Sequence, residues 1–223
     1  MIRILLSFLF GITLAISANA QREDFRTWFT IGLEKEFFNR LNISVVPELR
    51  LSDNSSRLDA LLTEIDLSVK VTGFLQLGGY YRYEYDKRID GNHDNVNRLA
   101  AYAGLNKDIS NFRFAYRAMY QAEYENYRTE ELGWLPVTTH RHRISVKYRK
   151  KSWDIVPGVS AEGFFKISPP WVKNQERLRL SAGFAYHLTK KIDLSLEYKF
   201  QQEFSENDPL KSHILSIGAE FEL

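Results

Sequence analysis

The chain has 223 residues and a net charge of +2, with 26% of residues charged, a mean hydropathy of −0.35 and no cysteine. Balanced charge excludes a general attraction to nucleic acid, and the missing cysteines exclude both a disulfide framework and a lipid-anchored lipoprotein. No long apolar run follows residue 20, which excludes a helical membrane protein but not a β-barrel, because alternating strands average to polar in any window.

Residues 1–20, "MIRILLSFLFGITLAISANA", place Arg3 before an apolar run from Ile4 to Ile16 and then Ala18-Asn19-Ala20. That layout predicts a Sec-type signal peptide cleaved near Ala20. The run is shorter than the ~20 residues of a spanning helix, which counts against a retained anchor. Residues 21–223 then form one domain, in which 21–40 is either a partial strand or plug, or one strand of a total of twelve.

From Leu41 onward the apolar residues fall on every second position, in units of roughly ten residues. Leu41, Ile43, Val45, Leu49 and Leu51 share one face, then Leu61, Ile65, Leu67, Val69 and Val71, then Leu75, Leu77, Tyr81, Tyr83 and Tyr85. A strand of small residues, Leu99 to Leu105, precedes Phe112–Tyr124. Strands through Ile144–Tyr148, Trp153–Phe165, Leu178–Leu188, Ile192–Phe200 and Leu215–Leu223 complete ten. "DFRTWFTIGLEKEFF" also alternates, which would make eleven. Single-chain bacterial barrels are even-numbered, so the expected total is ten to twelve. Short links (Thr72-Gly73, "KDISN", "RKKS", "TKK") take turns with longer ones ("SDNSSR", "DKRIDGNHDN", "YRTEELGWLPVTT", "KISPPWVKNQ", "SENDPLK"). Tight turns at one end and loops at the other are the asymmetry of outer-membrane barrels.

Alternation alone does not decide which face meets what. A soluble lipocalin-like barrel or a sandwich would turn its apolar face inward, and a membrane barrel turns it to lipid. Ten strands with about five large apolar residues each would overfill a small soluble barrel, because eight strands already leave just enough room for side chains. Tyr81, Tyr83 and Tyr85 run up to a loop, and Tyr148 and Trp153 flank a short turn, as interfacial girdles do. The last strand adds Ser216-x-Gly218-x-x-Phe221-x-Leu223, which resembles the terminal assembly signal of outer-membrane barrels. That resemblance implies recognition by the barrel-assembly machinery through an exposed strand edge. The fold expected is all-β: an antiparallel transmembrane β-barrel of 10–12 strands in the bacterial outer membrane.

Trp28-Phe29, "PELRL" (Glu48, Arg50), Arg98, "RHR" (Arg141, Arg143), "AEGFF" (Glu162, Phe164) and "NQERLRLSAGFAY" (Asn174, Arg177, Gly183) together resemble the Bacteroidota barrel family catalogued as domain of unknown function 2490. The resemblance spans essentially the whole mature chain and implies an outer-membrane protein of a Gram-negative bacterium. It implies no activity and carries no catalytic residues.

The polar face then lines the lumen. A basic wall is expected from Arg113, Arg117, Arg141, Arg143, Arg177 and Arg179, and an acidic wall from Glu48, Glu64, Glu84, Glu197 and Glu220, brought together where first and last strands meet. Opposed walls set a transverse field of the kind that orients anionic or zwitterionic solutes, and arginine forks bind carboxylate or phosphate bidentately. The reading is a narrow porin-like or solute-binding barrel. Its alternative is a scaffolding barrel plugged by interlocking ion pairs. A lipid-acting acyl hydrolase would need a serine within reach of a histidine. Ser145 and Ser181 face inward, but His140, His142 and His213 share the lipid-facing parity and His93 falls in a loop. His187 lies six residues from Ser181, roughly 20 Å at ~3.3 Å per residue. No phosphate loop, metal-ligand spacing or cofactor motif is present, so no cofactor or metal is expected. The partners expected are outer-membrane lipid, the assembly machinery and a small anionic or zwitterionic solute, with no nucleic acid. Pro169-Pro170-Trp171 stiffens a loop, and Trp134 and Trp171 offer an outer surface.

Overall fold

The computed structural model describes residues 22–87, 93–125, 136–168, 176–204 and 209–223. The expected signal peptide, Trp134, Trp171 and Asn174 lie outside them. Eleven strands form one closed barrel: β1 (Glu23–Phe37), β2 (Leu41–Ser52), β3 (Arg57–Lys70), β4 (Leu75–Lys87), β5 (His93–Ile109), β6 (Phe112–Glu125), β7 (Val137–Tyr148), β8 (Ile155–Ser168), β9 (Arg177–His187), β10 (Ile192–Glu203) and β11 (Lys211–Glu222). Consecutive strands pair antiparallel throughout, and the ring closes by β1 against β11.

Eleven strands fall within the expected ten to twelve, but the count is odd, and Glu23–Phe37 is a full strand of 15 residues rather than a partial strand or plug. With eleven strands the first and last run the same way, so the closing pair is parallel, in register from Glu23↔Lys211 to Glu34↔Glu222. Parallel bonds are slanted but evenly spaced. They still satisfy the backbone groups of both edges, which is the requirement a membrane imposes.

Several segments expected as loops are strand. Val137, Thr138 and Thr139 open β7, Lys166–Ser168 end β8, and His93 begins β5. The β2–β3 connection is also tight. Asp53, Asn54 and Ser55 adopt φ of 54°, 55° and 62°. Asp and Asn tolerate this left-handed region best among side chains with a Cβ. The Asn54 amide donates to Asp24 Oδ1 at 3.0 Å, tying the turn to β1.

The two faces separate cleanly. Phe29, Ile31, Ile65, Leu67, Leu99, Ile144, Val159, Phe184 and Leu196 are among the large apolar residues left exposed on the outer wall. Rings gather at both margins of this band. On the turn side, Phe112 meets Tyr148 and Tyr148 meets Trp153 at ring centroid distances of 5.1 and 5.7 Å. On the loop side, Tyr81 and Tyr83 donate to Asn97 and Asn95 at 2.7 and 2.8 Å. The Tyr116 and Tyr198 hydroxyls bond His142 Nδ1 and His213 Nδ1 at 2.8 and 2.6 Å. Apolar bodies with satisfied polar tips suit headgroup depth. The molecule is a transmembrane β-barrel. Its packed core is the lumen, where Trp28, Leu62, Tyr80, Val96, Met119, Val137, Phe164 and Ile214 are buried.

Candidate functional site

The lumen divides into a filled belt and a hollow vestibule. At mid-barrel and toward the loops, side chains from nearly every strand converge. Glu162, 4% exposed, is the centre of one cluster. It accepts from Arg141 Nη2 at 2.9 Å and Arg117 Nη2 at 3.4 Å, with Arg179 Nη1 at 3.9 Å. Arg141 also donates to Gln121 Oε1 at 3.0 Å and to the Tyr80 hydroxyl at 3.3 Å. Arg179 donates to Gln201 Oε1 at 2.6 and 3.1 Å.

A second cluster forms on the early strands. Arg50 pairs with Glu48 and reaches Glu84 Oε1 at 3.5 Å. Arg98 lies 3.6 Å from Glu84 Oε2 and grips Glu123 on β6, donating through Nε at 2.8 Å. Arg82 donates to Glu64 through Nε and Nη2 at 2.9 and 2.6 Å. Lys199 lies 3.1 Å from Glu197 and donates to Ser216 Oγ at 3.2 Å.

Two aromatic faces join the clusters. The Trp28 ring is covered by Arg50, Lys199 and Arg179, at 4.3, 5.0 and 5.2 Å from its centroid. The Phe164 ring is covered by Arg141, Arg177 and Arg179, at 4.6, 4.9 and 5.1 Å. Cations stacked on desolvated rings gain about 2 kcal/mol or more each, against a dehydration cost of several kcal/mol per ion. The pairing therefore has to offset most of the dehydration of these guanidinium groups. Above the belt, Ser212 and Ile214 are 0% and Ser52 and Val137 2% exposed, so this half of the lumen is packed.

The structure thus divides the expected walls differently. Arg50, Arg82 and Arg98 stand among the early acids and bind them, whereas Glu123 and Glu162 stand among the arginines. Arg177 stacks on Phe164, its Nε buried without a hydrogen-bond partner. Arg113 sits at the turn end, held by Asp108 at 2.6 and 2.7 Å. The belt's neutralising arginines were on the polar face of the sequence all along. What the sequence lacked was the register that sets each beside its acid, as Glu64↔Arg82 and Arg98↔Glu123 do for their seams.

Segregation does survive below the belt, toward the short turns. There small residues face the lumen, among them Gly78, Gly104, Ala115, Ser145, Gly158 and Ser195. Arg113, Arg117, Arg143, Lys147 and Arg149 line a cavity of about 530 Å³ with Glu34, Gln76 and Tyr102. Arg143 donates only to Ser160 Oγ, at 3.2 Å, among the described contacts, and its fork stays largely unclaimed by carboxylate. A second cavity of about 300 Å³ has Glu34, Asp193, Glu220 and Glu222 with Lys190, Lys191 and His187. A third of about 170 Å³ lies between Arg143, Lys147 and Glu197. β6 and β7 thus carry a basic side of the vestibule, and β1, β10 and β11 an acidic one.

Of the remaining expected residues, Gly218 stands opposite Ser195, and a Cβ there would meet Ser195 Oγ at 2.5 Å. Ser216 faces the lumen, and Leu223 is 58% exposed on the outside. His187 Nδ1 is held by Asp193 at 2.7 Å, while His142 and His213 bond tyrosines on the outer wall. Among the described residues, no group of three or more His, Asp and Glu is arranged to hold a metal.

Comparison with known proteins gives fold and family. A NanC porin structure superposes with a TM-score of 0.58 at 17% identity, covering 90% of this chain and 99% of that one. The β domain of the Bordetella autotransporter BrkA covers 76% of this chain and 78% of its own, at 12% identity and a TM-score of 0.40. No curated protein matches. The family described as "Protein of unknown function (DUF2490)" matches residues 25–211, and the chain belongs to that family.

Proposed function

We propose that this protein is an outer-membrane barrel that binds a small anionic or zwitterionic solute in its turn-end vestibule, beneath a belt that keeps the lumen shut. The location is supported by the apolar band between two ring girdles, by short turns at one end, and by likeness to a porin barrel. Short turns face the periplasm in such barrels, so the vestibule opens there. The last strand, with Ser216, Gly218, Phe221 and Leu223, is the segment the assembly machinery would read.

One observation carries the solute reading: Arg143, the Lys147 ammonium and the outer side of Arg117, which Glu162 holds only at 3.4 Å, face Glu34 and Glu220 across a hollow lined by small residues. A carboxylate or phosphate would take the basic side, and an ammonium group the acidic one. Within a low-dielectric wall, both attractions exceed their value in water.

Titration calorimetry of the purified barrel in micelles tests this with inorganic phosphate and a free amino acid as ligands. Arg117→Ala/Arg143→Ala/Lys147→Ala is expected to weaken phosphate binding at least tenfold, about 1.4 kcal/mol. Absence of any binding to the wild type would leave the plugged scaffolding barrel, which the packed belt favours, as the better reading. In planar bilayers the wild type is expected to conduct little. A steady open conductance would overturn the closed belt.

A further inference from the structure

The β1–β2 seam is interrupted inside the membrane. Its register runs from Thr27↔Leu51 to Thr30↔Glu48 and resumes at Leu33↔Val45, leaving Ile31, Gly32, Val46 and Pro47 unpaired across it. Apart from the two bulges in β2–β3 and β7–β8, no other seam skips a pair within the described residues. The cause is Pro47, which has no N–H to donate to a ladder and is normally confined to sheet edges or bulges.

The outer wall over this gap holds a cleft of about 640 Å³. Phe29, Leu49, Leu61 and Tyr83 form its rim. Its floor is low because Pro47 and Thr63 present little side chain there. The lining also reaches Thr30 and Glu48, whose side chains point to the lumen, and Gly218, which has none, so the bare strand backbone forms part of the floor. The cleft sits within the apolar band, level with exposed Phe29, Ile31 and Ile217, and the bilayer is the medium that meets it.

We infer that this cleft seats one acyl chain of a membrane phospholipid lengthwise against the interrupted β1–β2 seam. The chain fills a concavity that lipids packing on a smooth wall would leave void, and a void forfeits its dispersion contacts. It also covers the stretch of wall held by the fewest ladder bonds.

Native mass spectrometry of the barrel released from micelles, with purified phosphatidylethanolamine added, tests the site. The wild type is expected to retain one phospholipid. Thr63→Phe, which fills the cleft, should lower the retained fraction about tenfold, whereas Val159→Phe on the far wall should leave it unchanged. Pro47→Leu serves as a second filling variant, and heat-modifiable gel mobility reports that each is folded. Equal retention in Thr63→Phe and wild type, or none in the wild type, overturns the inference. A wild-type dimer lost in Thr63→Phe would assign the cleft to a second copy of the chain instead.

Discussion

Glu162 has the most to lose from a single change. Its carboxylate is the shared anion of Arg141, Arg117 and Arg179, and it is almost wholly buried. Glu162→Gln keeps the shape but leaves three guanidinium groups without their counter-charge. Removing one partner of a buried pair costs about 3–5 kcal/mol, because the surviving charge stays dehydrated. The expected result is a loss of that size in guanidinium unfolding in micelles. Trp28 fluorescence can report it, since that ring sits under Arg179. A loss below 1 kcal/mol would mean that water already solvates the cluster. Replacing Glu197, which is more exposed and pairs with Lys199, should cost far less. Single residues thus rank by how many charges they neutralise and how dry they are, not by their sign.

At the scale of the strand, spacing between neighbours sets the limits. Gly183 on β9 opposes Glu197 on β10, where a Cβ would meet the Leu196 carbonyl at 2.3 Å and Glu197 Cα at 2.6 Å. These are backbone atoms of a paired strand and cannot rotate aside. Gly183→Ala is therefore expected to cost about 1–3 kcal/mol through overpacking, visible as a lower midpoint in the same unfolding measurement. Gly104→Ala, with nothing nearer than 3.9 Å, should fold as the wild type does. Strands were legible in the sequence because period-two alternation is local, and the outer wall from Leu41 to Leu223 follows it directly. Strand ends were less legible. Val137–Thr139 read as loop because polar Thr138 and Thr139 break the alternation, yet all three are buried. The lumen's pairing was the least legible part. Glu84 meets Arg98 only because β4 and β5 align Arg82 with Arg98, a register that no composition reveals. Parity gave which residues enter the lumen, and the ladder gave which of them meet.

At the scale of the whole barrel, the odd strand count makes a claim that chemistry can check. Parallel closure sets Leu33 beside Phe221 and Phe29 beside Ile217. An antiparallel closure about the same centre would set Phe25 beside Phe221 instead. Neighbouring strands lie ~4.8 Å apart, within the 4.4–6.8 Å Cα range that a disulfide spans. The chain has no cysteine of its own, so an introduced pair reports without competition. Leu33→Cys/Phe221→Cys should cross-link on mild oxidation of the folded barrel in micelles, and the closed loop should migrate anomalously on a denaturing gel until reduced. Phe25→Cys/Phe221→Cys should remain two free thiols, because their strand positions differ by eight residues along parallel neighbours. The opposite outcome would mean that β1 enters the ring from the other end, with an even number of strands. It would also move Glu34 away from Glu220 and dissolve the acidic side of the vestibule. The closure of the barrel and the charge arrangement of its turn-end cavity are therefore one structural statement, and the cross-linking pattern tests both.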